Sequence, residues 1–496
     1  MIPLPKFSFM QTIILICLIS YSLLLFLVMW LTSRKANNET YFIGNRRSPW
    51  FVVAYGMIGA SLSGVTFLSV PGDVYKTQFT YFGIVIGYVV GYIVIAKILL
   101  PLYYRLNLTS IYTYLEQRFG NASYKTGSFF FILSRLLGSA LRMYIVIYVL
   151  QEFVFSHWHI PIAVTASFFV LIILFYTFKG GLKTVVWTDT LQTTFLLAAL
   201  IFTIIFIPKE INLSFGQLFS EMKTSGYADV FNTNWREHNF FLKQIISGAF
   251  ITITMTGLDQ DMMQKNLSCK NLKESQRNMF TFSGILVLVN ALFLLMGGML
   301  IMYSMHNGID LTAIKTDRIF STVAFDYLPP IAAIVFVIGL ISAGYSSADG
   351  TLTALTTVLC VDFIGLEKMN KPEKKKIKIR RSMHILMGLL FLLIILIFSR
   401  FHNDALIRIL FRVASYTYGP LLGLYTFGLF TKRTLKADRI VPLFACLSPL
   451  ICLPLDMFSK QLLWGYEFGF ELLLLNGLIM FLLLWAGSKR SVVTKK

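Results

Sequence analysis

Acidic side chains are scarce in this sequence: 24 Asp and Glu stand among 496 residues, and the charged fraction is 14%. A soluble domain carries about a quarter charged residues, so a water-covered globular protein is excluded. Cysteine is equally thin. Cys17, Cys269, Cys360, Cys446 and Cys452 are scattered, and none stands at metal-ligand spacing from a histidine, which argues against a disulfide framework and a thiolate metal site. Linkers rich in Ser, Gly or Pro are missing, so nothing marks off a soluble domain. There is no His-Asp or Cys-His constellation and no Gly-rich phosphate loop, and the chain does not read as an enzyme. The six histidines, His157, His159, His238, His306, His384 and His402, map to loops or helix ends. A histidine proton relay is therefore not expected, while a carboxylate relay stays open.

What fills the chain is apolar: 56% of it is hydrophobic and 15% aromatic. A helix crosses a bilayer with about 20 mainly apolar residues. Thirteen stretches meet that template, at about 9–31, 50–74, 81–104, 126–155, 160–178, 185–208, 242–262, 278–304, 327–363, 382–400, 403–430, 440–459 and 464–486. The first is longer than a signal-peptide core and lacks a small-x-small cleavage pattern, so it reads as a retained membrane helix. The expected fold class is an all-α integral membrane protein of about 13 transmembrane helices.

The net charge of +20 admits nucleic acid, anionic lipid or membrane orientation. Assigning each Lys and Arg to a side of the thirteen spans decides among them. Alternate connections, beginning with 34–50, carry 29 of the 44, and those on the opposite side carry 9. The other six, Lys97, Arg135, Arg142, Lys243, Arg408 and Arg412, fall within or near helices. The positive-inside rule then places the N-terminus outside and the C-terminus in the cytoplasm. The densest run, KMNKPEKKKIKIRR at 368–381, lies between two spans on the positive side. It reads as a topology anchor on anionic membrane lipid, with a regulatory contact as the alternative, and nucleic acid is not an expected partner.

Several spans carry groups that a plain anchor avoids. The second packs Gly56, Gly59 and Gly64, then Pro71-Gly72, with Ser61, Ser63, Thr66 and Ser69. Either its helix is weakened and its freed oxygens line a cavity, or its small residues let helices approach closely. The span 327–363 places Ala343, Ser346 and Ser347 at i, i+3 and i+4, with Asp349 three beyond Ser346, so an oxygen-rich patch faces one way. An unpaired Asp at the bilayer centre costs about 2.5–3.5 kcal/mol, so a partner is required. Asp189 follows the turn Lys179-Gly180-Gly181 at the start of another span. Carbonyl, hydroxyl and carboxylate oxygens without Cys or His are ligands for a hard cation, and sodium is the natural candidate. The alternatives are a helix-dipole charge for Asp189 and a buried pair with Lys or Arg for Asp349. Arg135, Ser139 and Arg142, at i, i+4 and i+7, either present cations to a cavity or, for one or both arginines, sit near a helix end or pair with an internal Asp.

Five segments carry a resemblance: GASLSGVTFLSVPG (59–72), YTFKGGLKTVVWTDTLQ (176–192), GLDQDMMQKNL (257–267), SAGYSSADGTLTALTTVLCVDFI (342–364) and YGPLLGLYTFGLF (418–430). In this order, on this hydropathy profile, the chain resembles the sodium:solute symporter family. The resemblance implies a LeuT-like fold of five helices and their inverted repeat, over 47–208 and 242–433. An accessory helix in 1–34 precedes them, and two accessory helices in 438–488 and a cytoplasmic tail, 489–496, follow. It implies a main sodium site made by the backbone oxygens of Gly59, Leu62 and Ala343 and the hydroxyls of Ser346 and Ser347. A second cation site would use Asp189 with positions Asp349 and Gly350, where sialic acid carriers have serines; Asp349 then serves either a cation or a proton. Substrate-binding positions are Ser61, Ser63 and Thr66. The arginine that holds the carboxylate in sialic acid carriers aligns with Gly138, leaving Arg135 and Arg142 a turn either side. Tyr416 and Tyr418 are candidates for an outer gate or for core packing.

The resulting expectation is a sodium-coupled symporter in a plasma (inner) membrane. It would import a small polar organic solute, such as a sugar, a sugar acid such as sialic acid, or a monocarboxylate, by alternating access and as a monomer. A proton-coupled or uncoupled carrier on the same fold is the alternative.

Overall fold

A computed structural model describes residues 5–34, 36–400 and 406–490. The apolar runs form the helices α1 (Pro5–Thr32), α2 (Trp50–Ser61), α3 (Gly64–Thr77), α4 (Phe82–Arg105), α5 (Asn121–Phe153), α6 (Ile162–Thr177), α7 (Leu182–Glu210) and α8 (Phe241–Gly257). They continue with α9 (Gln260–Leu267), α10 (Leu272–His306), α11 (Pro330–Phe363), α12 (Glu373–Phe398), α13 (Leu406–Phe430), α14 (Asp438–Met457) and α15 (Leu472–Ala486). Eight are long and apolar enough to cross a membrane, or ten if α2–α3 and α8–α9 each count as one bent span. The shorter apolar helices α6 and α15 lie where the sequence placed further spans, as does α13. Strand is limited, among the described residues, to Thr434–Leu435 paired antiparallel with Ser488–Lys489.

The periphery is greasy and the centre polar. Leu23, Leu27 and Trp30 on α1, Leu389 and Leu393 on α12, and Leu443 and Leu450 on α14 are exposed, as a lipid-facing belt requires. Residues 339–358 of α11 are buried without interruption, hydroxyls and Asp349 included. Asp362 at the end of α11 accepts hydrogen bonds from Ser128 (2.6 Å) and Tyr124 (2.9 Å) of α5 and from Ser110 (2.8 Å) in the connection before it, which tie that end to α5 and its approach.

Two breaks shape the interior. Between α2 and α3 the chain bends by 59°. It does so at Leu62 and Ser63, which are extended (ψ 95° and 175°), and not at Pro71, which lies inside α3. Gly59 and Gly64 flank the break, each weakening helix by about 1 kcal/mol relative to Ala. The second bend, 66°, separates α8 from α9. A π-helical turn over Ile253–Gly257 leads into it, and Asp259 caps α9 by accepting the Met262 N–H at 3.1 Å.

The charge assignment needs three corrections. The basic run 368–381 is helix from Glu373 onward, because Lys and Arg are good helix formers that a hydropathy window does not see. Within it Arg380 is buried; it donates to Asn38 Oδ1 at 3.0 Å and lies 4.2 Å over the Tyr41 ring. Lys265, counted among the loop cations, is 1% exposed in the interior. The third concerns the histidines. His384 lies inside α12, fully buried, with Nδ1 3.0 Å from the hydroxyls of Tyr41 and Thr356 and Nε2 3.0 Å from Thr177. His402 lies outside the described residues.

Candidate functional site

The end of α2 supplies backbone oxygens. The last four carbonyls of a helix have no intrahelical N–H partner, and Gly59 is among them; among the described residues only Ile58 is recapped, by the Leu62 N–H at 2.9 Å. Helices α7 and α11 pack on this end. Gly59 donates its N–H to the Thr193 hydroxyl at 3.0 Å, and a Cβ at residue 59 would stand 3.1 Å from Ser346 Oγ, so only glycine brings the backbone this near. Ser346 gives its own hydrogen to Asp189 Oδ1 at 3.0 Å. Its lone pairs remain available. Ser347 bonds the Gly344 carbonyl at 3.0 Å, and Ala343, Ser346 and Ser347 are all fully buried beside it on α11.

Beyond the break lies a cavity of about 90 Å³. Ser61, Ser63 and Thr66 line one wall, Arg135 and Arg142 of α5 another, and Tyr81, just before α4, with Tyr88 and Tyr92 of α4 a third. Tyr81 also lines a larger vestibule of about 480 Å³ with Arg236 and Glu467. The two arginines differ. Arg135 bonds Asp261 and holds Nε 3.6 Å from Asp259 Oδ2. Arg142 is 9% exposed, no carboxylate pairs with it among the described residues, and its Nε has no hydrogen-bond partner. Ser139, between them, turns instead to Thr351 of α11 at 2.7 Å.

A chain of ions runs from this cavity to the α2 break. Tyr418 donates to Asp259 at 2.6 Å, Asp259 faces Arg135, and Arg135 shares Asp261 with Lys265, whose Nζ is 3.3 Å from Asp261 Oδ1. The same ammonium lies 2.9 Å from Asp189 Oδ2, a charge contact without hydrogen-bond alignment. Asp189 closes the chain on Ser346. All five charged members are at most 4% exposed. Asp349 stands aside from it: Oδ2 accepts from Tyr176 (2.9 Å), Thr188 (3.2 Å) and Gln192 (3.3 Å), and Oδ1 from the Gly350 N–H (2.6 Å). A buried pair with Lys or Arg, weighed for Asp349, is found at Asp189. Tyr418 is buried in the chain of ions, whereas Tyr416 points to Asp456 of α14 at 2.6 Å.

Residues 41–437 match the sodium:solute symporter family. The chain belongs to that family. Among relatives in the family's range, a sodium/sialic acid symporter of Proteus mirabilis is 24% identical over 423 residues, covering 83% of this chain and 83% of the relative. Sodium-coupled monocarboxylate transporter 1 of Mus musculus is 26% identical over 405 residues, covering 80% of this chain and 64% of the relative. A solved structure of a Na+-coupled sialic acid symporter, substrate-bound and outward-open, superposes with a TM-score of 0.81 at 20% identity, covering 98% of this chain and 100% of that one. Mhp1, a nucleobase-cation-symport-1 family transporter, gives a TM-score of 0.55 at 14% identity, with 90% and 93% covered. These two similarities establish a multi-pass membrane-transporter fold.

Three members of the ion chain, Asp259, Asp261 and Lys265, escaped sequence reasoning although they lie in a segment that carries the family resemblance. Asp261 and Lys265 stand at the i, i+4 spacing of a helical ion pair. That spacing was the available signal. It is masked because the apolar span 242–262 ends between Asp261 and Lys265, which puts the two halves of the pair in different segments.

Proposed function

We propose that this chain is a sodium-coupled symporter that imports a small organic anion, a carboxylate such as a monocarboxylate or a sugar acid, by alternating access. Family membership supports the sodium coupling. The observation that favours an acid over a neutral sugar is Arg142: a buried guanidinium without a carboxylate partner, in a cavity that also offers the hydroxyls of Ser61, Ser63 and Thr66. Burying a charge without a partner is costly, and a solute carboxylate supplies the missing one. Arg135 lines the same cavity but is already paired, so it orients the wall and contributes less to binding.

Sodium is assigned to the carbonyls of Gly59, Leu62 and Ala343 and the hydroxyls of Ser346 and Ser347, a set of neutral oxygens fit for a hard cation. Bound there, it fastens α2 to α11 across the break and stabilises the form in which the cavity meets the vestibule. Linkage then requires solute to raise sodium affinity by the same factor. The reading extends to thirteen spans, with bent helices α2–α3 and α8–α9 opening the repeats 47–208 and 242–433. It also places the N-terminus outside, the C-terminus in the cytoplasm, and a monomer embedded in inner-membrane lipid.

Uptake into proteoliposomes of a panel of radiolabelled carboxylates and sugars, with and without an inward sodium gradient, tests this reading. Accumulation of an acid only with the sodium gradient supports it. Accumulation in sodium-free buffer, driven by a pH gradient, overturns it in favour of proton coupling.

A further inference from the structure

We infer that the second cation site implied by the family resemblance is filled in this chain by its own ammonium, that of Lys265, so that one sodium ion accompanies each solute. The inference rests on the sodium-coupled reading above and concerns its stoichiometry.

The expected ligands of a second ion are Asp189, Asp349 and position 350, and each is otherwise engaged. Asp189 spends Oδ1 on the Ser346 hydroxyl and Oδ2 on Lys265 Nζ, 2.9 Å away. Asp349 is ringed by donors: a phenol, a side-chain amide and a backbone N–H point hydrogens at its two oxygens. A cation's neighbours must turn lone pairs toward it, and these turn hydrogens toward the carboxylate instead. Position 350 has no side chain to offer. Its absence is also required, because a Cβ there would stand 2.7 Å from Lys265 Nζ and nearer still to the Asp261 carboxylate. The space beside Gly350 thus belongs to the ion pair.

The ammonium is held by more than one partner. Asp261 receives Lys265 on Oδ1 and Arg135 on Oδ2, and Lys265 is only 1% exposed on a short helix that Asp259 caps. Withdrawing it would leave Asp189 facing no cation and Asp261 half-paired in the interior, and losing one member of a buried pair is strongly destabilising. At the main cluster, by contrast, the hydroxyls of Ser346 and Ser347 hydrogen-bond Asp189 and the Gly344 carbonyl, and no Lys or Arg bonds to either among the described residues.

The test is saturation binding of radiolabelled sodium to the purified full-length chain in detergent. One ion per chain is expected. Two ions per chain would overturn the inference while leaving sodium coupling intact, whereas no bound sodium would overturn the symport reading itself. Lys265→Asn, shown by thermal unfolding to be folded, should bind a second ion in the vacated space, where Asp189 Oδ2 and Asp261 Oδ1 have both lost their ammonium. A folded Lys265→Asn chain that still binds one ion overturns the inference as well. Should that variant not fold, the wild-type count decides alone.

Discussion

Ser346 donates its hydroxyl hydrogen to Asp189 Oδ1 at 3.0 Å, and that bond joins the oxygen cluster at the α2 break to a line of ions ending at Tyr418 beside the solute cavity. On the proposed reading, sodium at the break and solute in the cavity both border one contiguous polar structure, since Ser61, Ser63 and Arg135 line that cavity. The line of contacts continues from Asp189 through Lys265 and Asp261 to Arg135, which lines the cavity.

Ser346→Ala removes an oxygen from the main cluster and a donor from Asp189. Contacts between a charge and a hydrogen-bonding group are worth about 1.5–3 kcal/mol, so the half-saturating sodium concentration should rise about tenfold or more. A sodium titration of solute uptake measures this. An unchanged titration would remove Ser346 from the site.

Arg142→Gln should abolish stabilisation by carboxylates while preserving stabilisation by sodium. Loss of one member of a buried charge pair costs about 2–5 kcal/mol, which corresponds to at least about 30-fold weaker solute binding. Thermal unfolding of the variant with sodium, and with sodium plus each acid of the panel, separates the two effects. Retention of an acid-induced shift would show that Arg142 does not anchor the solute.

Asp261→Asn leaves two cations, Arg135 and Lys265, without the carboxylate they share. The expected destabilisation is about 3–5 kcal/mol. Adding Lys265→Met should cost less than it does in the wild type, because the ammonium it removes has already lost one of its two carboxylates. A double-mutant cycle on thermal stability checks the coupling, and simple additivity would argue against a shared site.

His384→Leu leaves the Tyr41 hydroxyl without its ring acceptor, whereas Thr177 and Thr356 keep their bonds to the carbonyls of Ile173 and Leu352. A cost of about 1–3 kcal/mol follows. The melting temperature should fall while the sodium dependence of uptake stays as in the wild type; altered sodium dependence would give His384 a part in coupling.

Much of this was readable in the chain. Gly59, Ser61, Ser63 and Gly64 announce a broken helix because membrane helices rarely gather such residues without a use for the backbone. The hydroxyl row of α11 announces a polar interior for the same reason. Lys265 was not readable, since a charge count gives every lysine the same weight and its burial depends on Asp189, which comes to it from α7. The two arginines of α5 share one spacing, and only the aspartates of α9 decide that Arg135 is committed and Arg142 open. His384 reads as a helix end because the hydropathy of α12 begins nine residues after its first residue, past a run of lysines that are helical but not apolar.

Lys265 is tethered, and this has an energetic consequence for transport. A membrane potential does work only on charge that crosses the bilayer, about 2.3 kcal/mol per elementary charge at 100 mV. An ammonium anchored to α9 stays behind when the solute leaves. If one sodium ion accompanies one monovalent carboxylate, no net charge moves, and import follows the ratio of sodium concentrations, indifferent to voltage. Replacing a mobile cation by a covalent one would make such a carrier electrically silent.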